Sequence, residues 1–252
     1  MDDHAAPRGA AQPVRNAISN AMARIKRDHY GRGPARARTY IYDRFVFSVL
    51  DDVLTPAEQA LKEAGRVQRV RRTRLAFEAV MTRTFTTAVE ERTAATVIGY
   101  HSQVAVDPDL ALEIFVLDHP PHPESDPGPA RYGDGHLRAS IENGLVARLH
   151  EFWGKGPTRS RIFVEDEFAF CVFEEPFTTV ERTLLDANEA DVVRELRIEL
   201  HDARRDAFDE VVAEATGRPV LTSVSQVVFH PDMLFLCFVL GEVGGLPVEP
   251  SG

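Results

Sequence analysis

Arginines spaced two apart after a glycine-rich turn are the residues of this chain best placed to do chemistry. The segment GRGPARAR (31–38) offers Gly31 and Gly33, around which a turn leaves backbone amides open, and Arg36 and Arg38, which a strand projects to one side. The segment GKGPTRSR (154–161) repeats the pattern with Gly154, Gly156, Arg159 and Arg161. Such a set can hold a small anion such as phosphate, carboxylate or bicarbonate through charge-assisted hydrogen bonds. It is not a nucleotide-binding loop, because the terminal Lys-Ser/Thr is missing and the glycines follow a helix instead of leading into one. A plainer reading fits the same residues: the glycines and Pro34 shape a helix-to-strand turn, and the arginines pair with carboxylates.

A second basic element lies on a helix. Arg71 and Arg74 stand one helical turn apart, as do Arg194 and Arg197. This face could meet an acidic surface, or could be a solvated face making exposed ion pairs. Asp43 with Asp166, and Asp109 with Asp232, fall at expected turns, where aspartate bonds nearby backbone amides. Ser102-Gln103 and Ser225-Gln226 lie in strands, without the sharp turn a nucleophilic serine occupies. Cys171 and Cys237 sit in apolar runs and read as small buried hydrophobes. No metal motif is recognisable, including among His119, His122, Asp126, Asp134 and His136. Neither a metal, a cofactor nor catalytic residues are expected, and a binding or regulatory protein is expected before an enzyme.

These residues recur because the chain is duplicated. Displaced by 123 positions, it matches itself without a gap from about Asn16 to Leu117. About 30 of roughly 100 positions coincide, at a period far longer than that of solenoid repeats. The expected organisation is a first repeat over 14–118, a proline- and glycine-rich linker over 119–138, and a second repeat over 139–242. Each repeat opens with a helix (ISNAMARIKRDH, SIENGLVARLHEF) stopped by the glycine turn. A hairpin follows around Asp43-Arg44 or Asp166-Glu167, with Phe45, Phe47 and Val49 on one strand face. Thr55-Pro56-Ala57-Glu58 has the form of a capping box, repeated by Thr178 and Glu181. One long helix comes next, its buried stripe expected at Val70, Thr73, Phe77, Val80, Thr84 and Ala88. In the second repeat the expected stripe is Val193, Leu196, Leu200, Ala203, Ala207 and Val211. A second hairpin with Pro-Asp in its turn closes each repeat. The fold class is therefore α+β: two four-stranded antiparallel sheets covered by helices, the repeats packed about a pseudo-two-fold axis as an intramolecular pseudo-dimer.

With 252 residues and a formal net charge of −10, the chain is not expected to bind nucleic acid. Its apolar runs are far shorter than the about 20 residues of a spanning helix, so membrane insertion is not expected. The amino-terminal segment has no apolar core and does not read as a secretory signal, so a cytoplasmic location is expected. The first repeat is net basic and the second strongly acidic, so the two faces have diverged.

The Gly-[Lys/Arg]-Gly-Pro turn, the aromatic strand with its aspartate, Leu54-Thr55-Pro56-Ala57-Glu58 and the closing Pro-Asp strand resemble the MpsC-like family, in both repeats. The second repeat departs at Thr179 and Val180, where the first has Pro56 and Ala57. The family is named for a bacterial sodium-translocating, membrane-potential-generating system associated with bicarbonate or cation uptake. The resemblance implies a soluble accessory or regulatory protein beside such a system, peripheral to the membrane through a transport-complex partner. The alternatives are a small-anion sensor built on the Gly-Arg elements, or an enzyme of unknown reaction.

Overall fold

The computed structural model of the chain describes residues 11–121, 135–165 and 167–242. Asp166, His122, Asp126 and Asp134 lie outside them. The chain divides into two units, Met1–Ala130 and Arg131–Gly252, each built on one four-stranded antiparallel sheet.

Local chemistry explains where most elements begin and end. Helix α1 (Ala11–Tyr30) stops at Gly31, whose φ is 74°. Glycine takes that left-handed conformation at little cost, and open space around the position leaves backbone geometry as the sole requirement. Strands β1 (Arg36–Tyr42) and β2 (Phe45–Asp51) form the first hairpin, with Asp43 at φ 53° in its turn. Thr55 caps α2 (Pro56–Glu63), and the full capping box is formed. Helix α3 (Val67–Thr93) and the hairpin of β3 (Val97–Val106) and β4 (Asp109–Leu117) complete the unit. The sheet order is β1-β2-β4-β3, with β2 and β4 paired at its centre from Phe45↔Val116 to Asp51↔Leu110.

The second unit follows the same plan. Its helix α4 (Gly135–Trp153) starts at Gly135, so residues 135–138, read as the end of the linker, are helical. Strands β5 (Arg159–Val164) and β6 (Phe168–Glu174) lead to α5 (Thr179–Asp186), capped by Thr178 and Glu181. Helices α6 (Ala190–Ala203) and α7 (Arg205–Thr216) then precede β7 (Val220–Val228) and β8 (Met233–Leu240). The order β5-β6-β8-β7 repeats that of the first sheet.

The helices meet one face of each sheet. In the first unit Val46, Leu50, Ala111 and Phe115 cluster with Ile18 and Met22 of α1 and with Met81 and Phe85 of α3. Phe45, Phe47 and Val49 do share a face, as the strand period requires, but it is the alternate one, so β2 is apolar on both sides. Cys171 and Cys237 are free and buried, in line with their apolar context.

Two expectations are corrected. The inward stripe of α3 is Val70, Arg74, Glu78, Met81, Phe85 and Val89, turned from the expected one. Val80 is 76% exposed and Leu196, in the second repeat, 45%. The reason is that Arg74 and Glu78 point into the protein, whereas hydrophobicity alone rotates the helix to hide its valines. The other correction is that the second repeat has two helices, α6 and α7, where one was expected. Arg205 draws the chain aside there, donating to the Ser223 carbonyl at 2.7 Å and to Thr222 Oγ1 at 3.2 Å.

Candidate functional site

The capping-box glutamates do more than cap. Glu58 Oε2 accepts from the Thr55 amide at 2.8 Å, while its carboxylate also accepts two hydrogen bonds from Arg74, each 2.6 Å. Arg74 donates further to the Val53 carbonyl at 2.8 Å and lies over the Tyr30 ring. The second repeat keeps this clamp. Arg197 donates to Glu181 at 2.5 and 2.7 Å and to the Pro176 carbonyl at 2.9 Å, above the Trp153 ring. Burial alone pushes both carboxyls up, but the arginine contacts and the threonine amide outweigh it and hold them below the usual carboxylate range.

This geometry corrects the basic helix face. Arg74 and Arg197 are 8% and 2% exposed, inside the protein, because each neutralises a buried glutamate. Arg71 and Arg194 are half-buried, and Arg194 pairs with Asp191 at 2.6 Å. The four arginines therefore do not make one solvent-facing surface.

The residues of the Gly-Arg elements divide in a similar way. Arg38 donates to both oxygens of Asp51, at 2.9 and 2.7 Å, and Arg161 lies 3.6 Å from Glu174. Arg36 and Arg159 are exposed at the starts of β1 and β5. Gly31 and Gly154 (φ 70°) end their helices, and Gly33 and Gly156 continue the turns. The intervening residue, overlooked in the sequence, ties each turn down. Arg32 donates to the Leu54 carbonyl at 3.0 Å and pairs with Asp52, while Lys155 donates to the carbonyls of Glu175 and Phe177, both at 2.7 Å. Asp109 completes the arrangement by accepting from the amides of Val53 and Leu54 at 2.9 and 3.1 Å.

A cluster that sequence reasoning missed lies under the helices of the first repeat. Lys26 and Glu113, 2% and 0% exposed, form an ion pair of 2.6 Å. The Lys26 ammonium sits over the rings of Tyr30 and Phe85, 4.7 and 5.1 Å from their centroids. Tyr100 donates its hydroxyl to Glu113 at 2.8 Å, and Glu78 pairs with His101 beside it. Burial, and then the charge of Glu113, push both tyrosine hydroxyls above their ordinary range, so both stay protonated. The arrangement can hold buried charge and protons. Among the described residues no group of histidine, cysteine and carboxylate side chains is disposed to bind a metal ion.

The second repeat replaces the ion pair of this cluster with leucines and keeps smaller polar groups around it. Leu149 and Leu236 stand at the positions of Lys26 and Glu113, and Ser223 at that of Tyr100, 3.2 Å from His201. A small cavity opens there, lined in part by Leu149, Trp153, Arg197, His201, Phe208 and Leu236. The missed signal is a self-alignment one: a lysine and a glutamate in apolar stripes, each facing a leucine in the other repeat.

Two α+β units with one strand order and one buried Glu–Arg clamp define a tandem-repeat protein. Residues 11–119 and 134–242 each match the family described as Na+-translocating membrane potential-generating system (MpsC), so the chain belongs to the MpsC family, in two tandem copies. No curated protein and no solved structure matches the chain.

Proposed function

We propose that this chain is a non-catalytic accessory or regulatory protein of a bacterial ion or bicarbonate transport system, acting at the cytoplasmic membrane surface through a protein partner. One observation carries the reading. Both repeats belong to a family named for a translocating system, yet no helix among the described residues is long and apolar enough to cross a membrane. Ion passage through the bilayer would then fall to a partner subunit. The residues the two repeats share also support it, since the Thr–Glu–Arg clamp and the glycine stop have structural tasks in both, and Asp109 has one in the first.

The small-anion sensor has weaker support, because Arg38 and Arg161 already face carboxylates and only Arg36 and Arg159 of its arginines are exposed. Affinity capture of the full chain from native membranes in several mild detergents tests the leading reading. A membrane-embedded transport subunit should co-purify; recovery of none under any of the conditions would sink the idea.

A further inference from the structure

The helices of the two repeats differ in the sign of their charge on the side turned away from their sheets. Opposite its buried stripe, α3 presents Arg69, Arg72 and Arg83, all exposed, with Val80 exposed among them. The equivalent outward stripe of α6 and α7 carries Glu195, Glu199, Asp206 and Glu210, all exposed. Val192 and Leu196 lie beside these acids at 47% and 45% exposure. Two positions reverse sign outright: Arg72 stands where the second repeat has Glu195, and Arg83 where it has Asp206.

Each stripe is unfavourable by itself. Glu195 with Glu199, and Asp206 with Glu210, are like charges one helical turn apart, as are Arg69 and Arg72. Neither stripe supports the fold, which rests on the opposite side of each helix. The two stripes come from equivalent segments, and at the two sign-reversed positions both side chains are exposed, although α3 is one helix and the acids are divided between α6 and α7. Both also place large apolar side chains in the open, which gives a contact a dry centre.

We propose that the α3 face of one copy of this chain docks on the α6–α7 face of a second copy, arginines against acids around Val80, Val192 and Leu196. The two patches are different, so the contact is heterologous. Each added copy leaves one basic and one acidic face open, and the assembly grows head to tail until it closes into a ring or continues as a row. A lipid or nucleic-acid surface would engage the basic face only, against the repulsion of a net charge of −10, and would leave the acidic stripe without a role.

Sedimentation velocity of the full chain tests this over a range of concentrations at about 0.02 M and about 0.5 M salt, where the screening length falls from about 20 Å to about 4 Å. The wild-type chain should associate at low salt and dissociate at high salt. R69E/R72E/R83E has two acidic faces and E195R/E199R/D206R two basic ones, so each alone should associate at least about tenfold more weakly, by loss of complementary charge. Mixed in equal amounts, the two variants should associate with each other. Circular dichroism checks that both keep wild-type helix content, and the milder R72Q/R83Q and E195Q/D206Q replace either one that does not; each should weaken association in the same direction. A wild-type chain that stays monomeric at low salt overturns the proposal, as does a failure of the mixed reversal variants to associate. Binding of anionic phosphatidylserine vesicles by a chain that stays monomeric overturns it in favour of a lipid partner.

Discussion

Arg197 is almost wholly enclosed, and its guanidinium is the only cation on the Glu181 carboxylate among the described residues. Removing one member of a buried pair leaves an uncompensated charge, so Arg197→Ala should cost about 3–5 kcal/mol. A lower urea midpoint with an unchanged denaturant slope is the expected reading. The Lys26–Glu113 pair allows a finer test, because the second repeat already fills those positions with Leu149 and Leu236. Lys26→Leu alone should destabilise by about 3–5 kcal/mol, whereas K26L/E113L should regain most of the loss, since an apolar replacement of a whole buried pair is often neutral. If the double variant is no more stable than the single one, the leucines of the second repeat are not equivalent to the pair.

Between elements, α4 and α7 approach closely at Gly144. A Cβ on Gly144 would lie 2.5 Å from Val211 Cγ1, so the helices are as close as glycine permits. The first repeat solves the same packing with Ala21 and Ala88. Gly144→Ala should therefore destabilise by about 1–3 kcal/mol through overpacking. Adding Val211→Ala, which recreates the alanine pair, should recover most of that in a double-mutant cycle. Elements of this kind were legible in the sequence where a local rule fixed them: the glycine stops, the capping boxes, the hairpin turns and the repeat itself. The inner stripe of α3 was not, because Arg74 and Glu78 face inward and invert the usual link between polarity and exposure. The break between α6 and α7 was hidden for another reason. Ala203-Arg204-Arg205 contains no glycine or proline, and the bonds from Arg205 to β7 are long-range. The buried cluster is visible in the sequence only as two charge-for-leucine mismatches between the repeats.

For the molecule as a whole, the repeats share a framework and differ in what they bury and display. Their titration should differ accordingly. Glu58 and Glu181 are held below the unfolded carboxylate range, so their contribution is present above that range and is lost as pH falls through their folded values. Asp209, in the second repeat, behaves in the opposite sense. Burial pushes it up to about 6, against the pull of Ser223 and Arg205, so its proton favours the fold and that contribution is lost as pH rises through about 6. Asp209→Asn should thus raise the Tm at pH 7.5, with the difference from wild type disappearing below about pH 4, as thermal melts across this range would show. A variant equally stabilised at both ends of the range would contradict the burial of that carboxyl. The clamp itself has a kinetic signature. One carboxylate serves at once as the cap of α2 and the anchor of α3, so the first turn of α2 cannot fray while Arg74 stays in place. In native-state hydrogen exchange the Thr55 and Thr178 amides, although they stand at helix starts where protection is ordinarily lowest, should exchange with the slow class that reports opening of the surrounding unit.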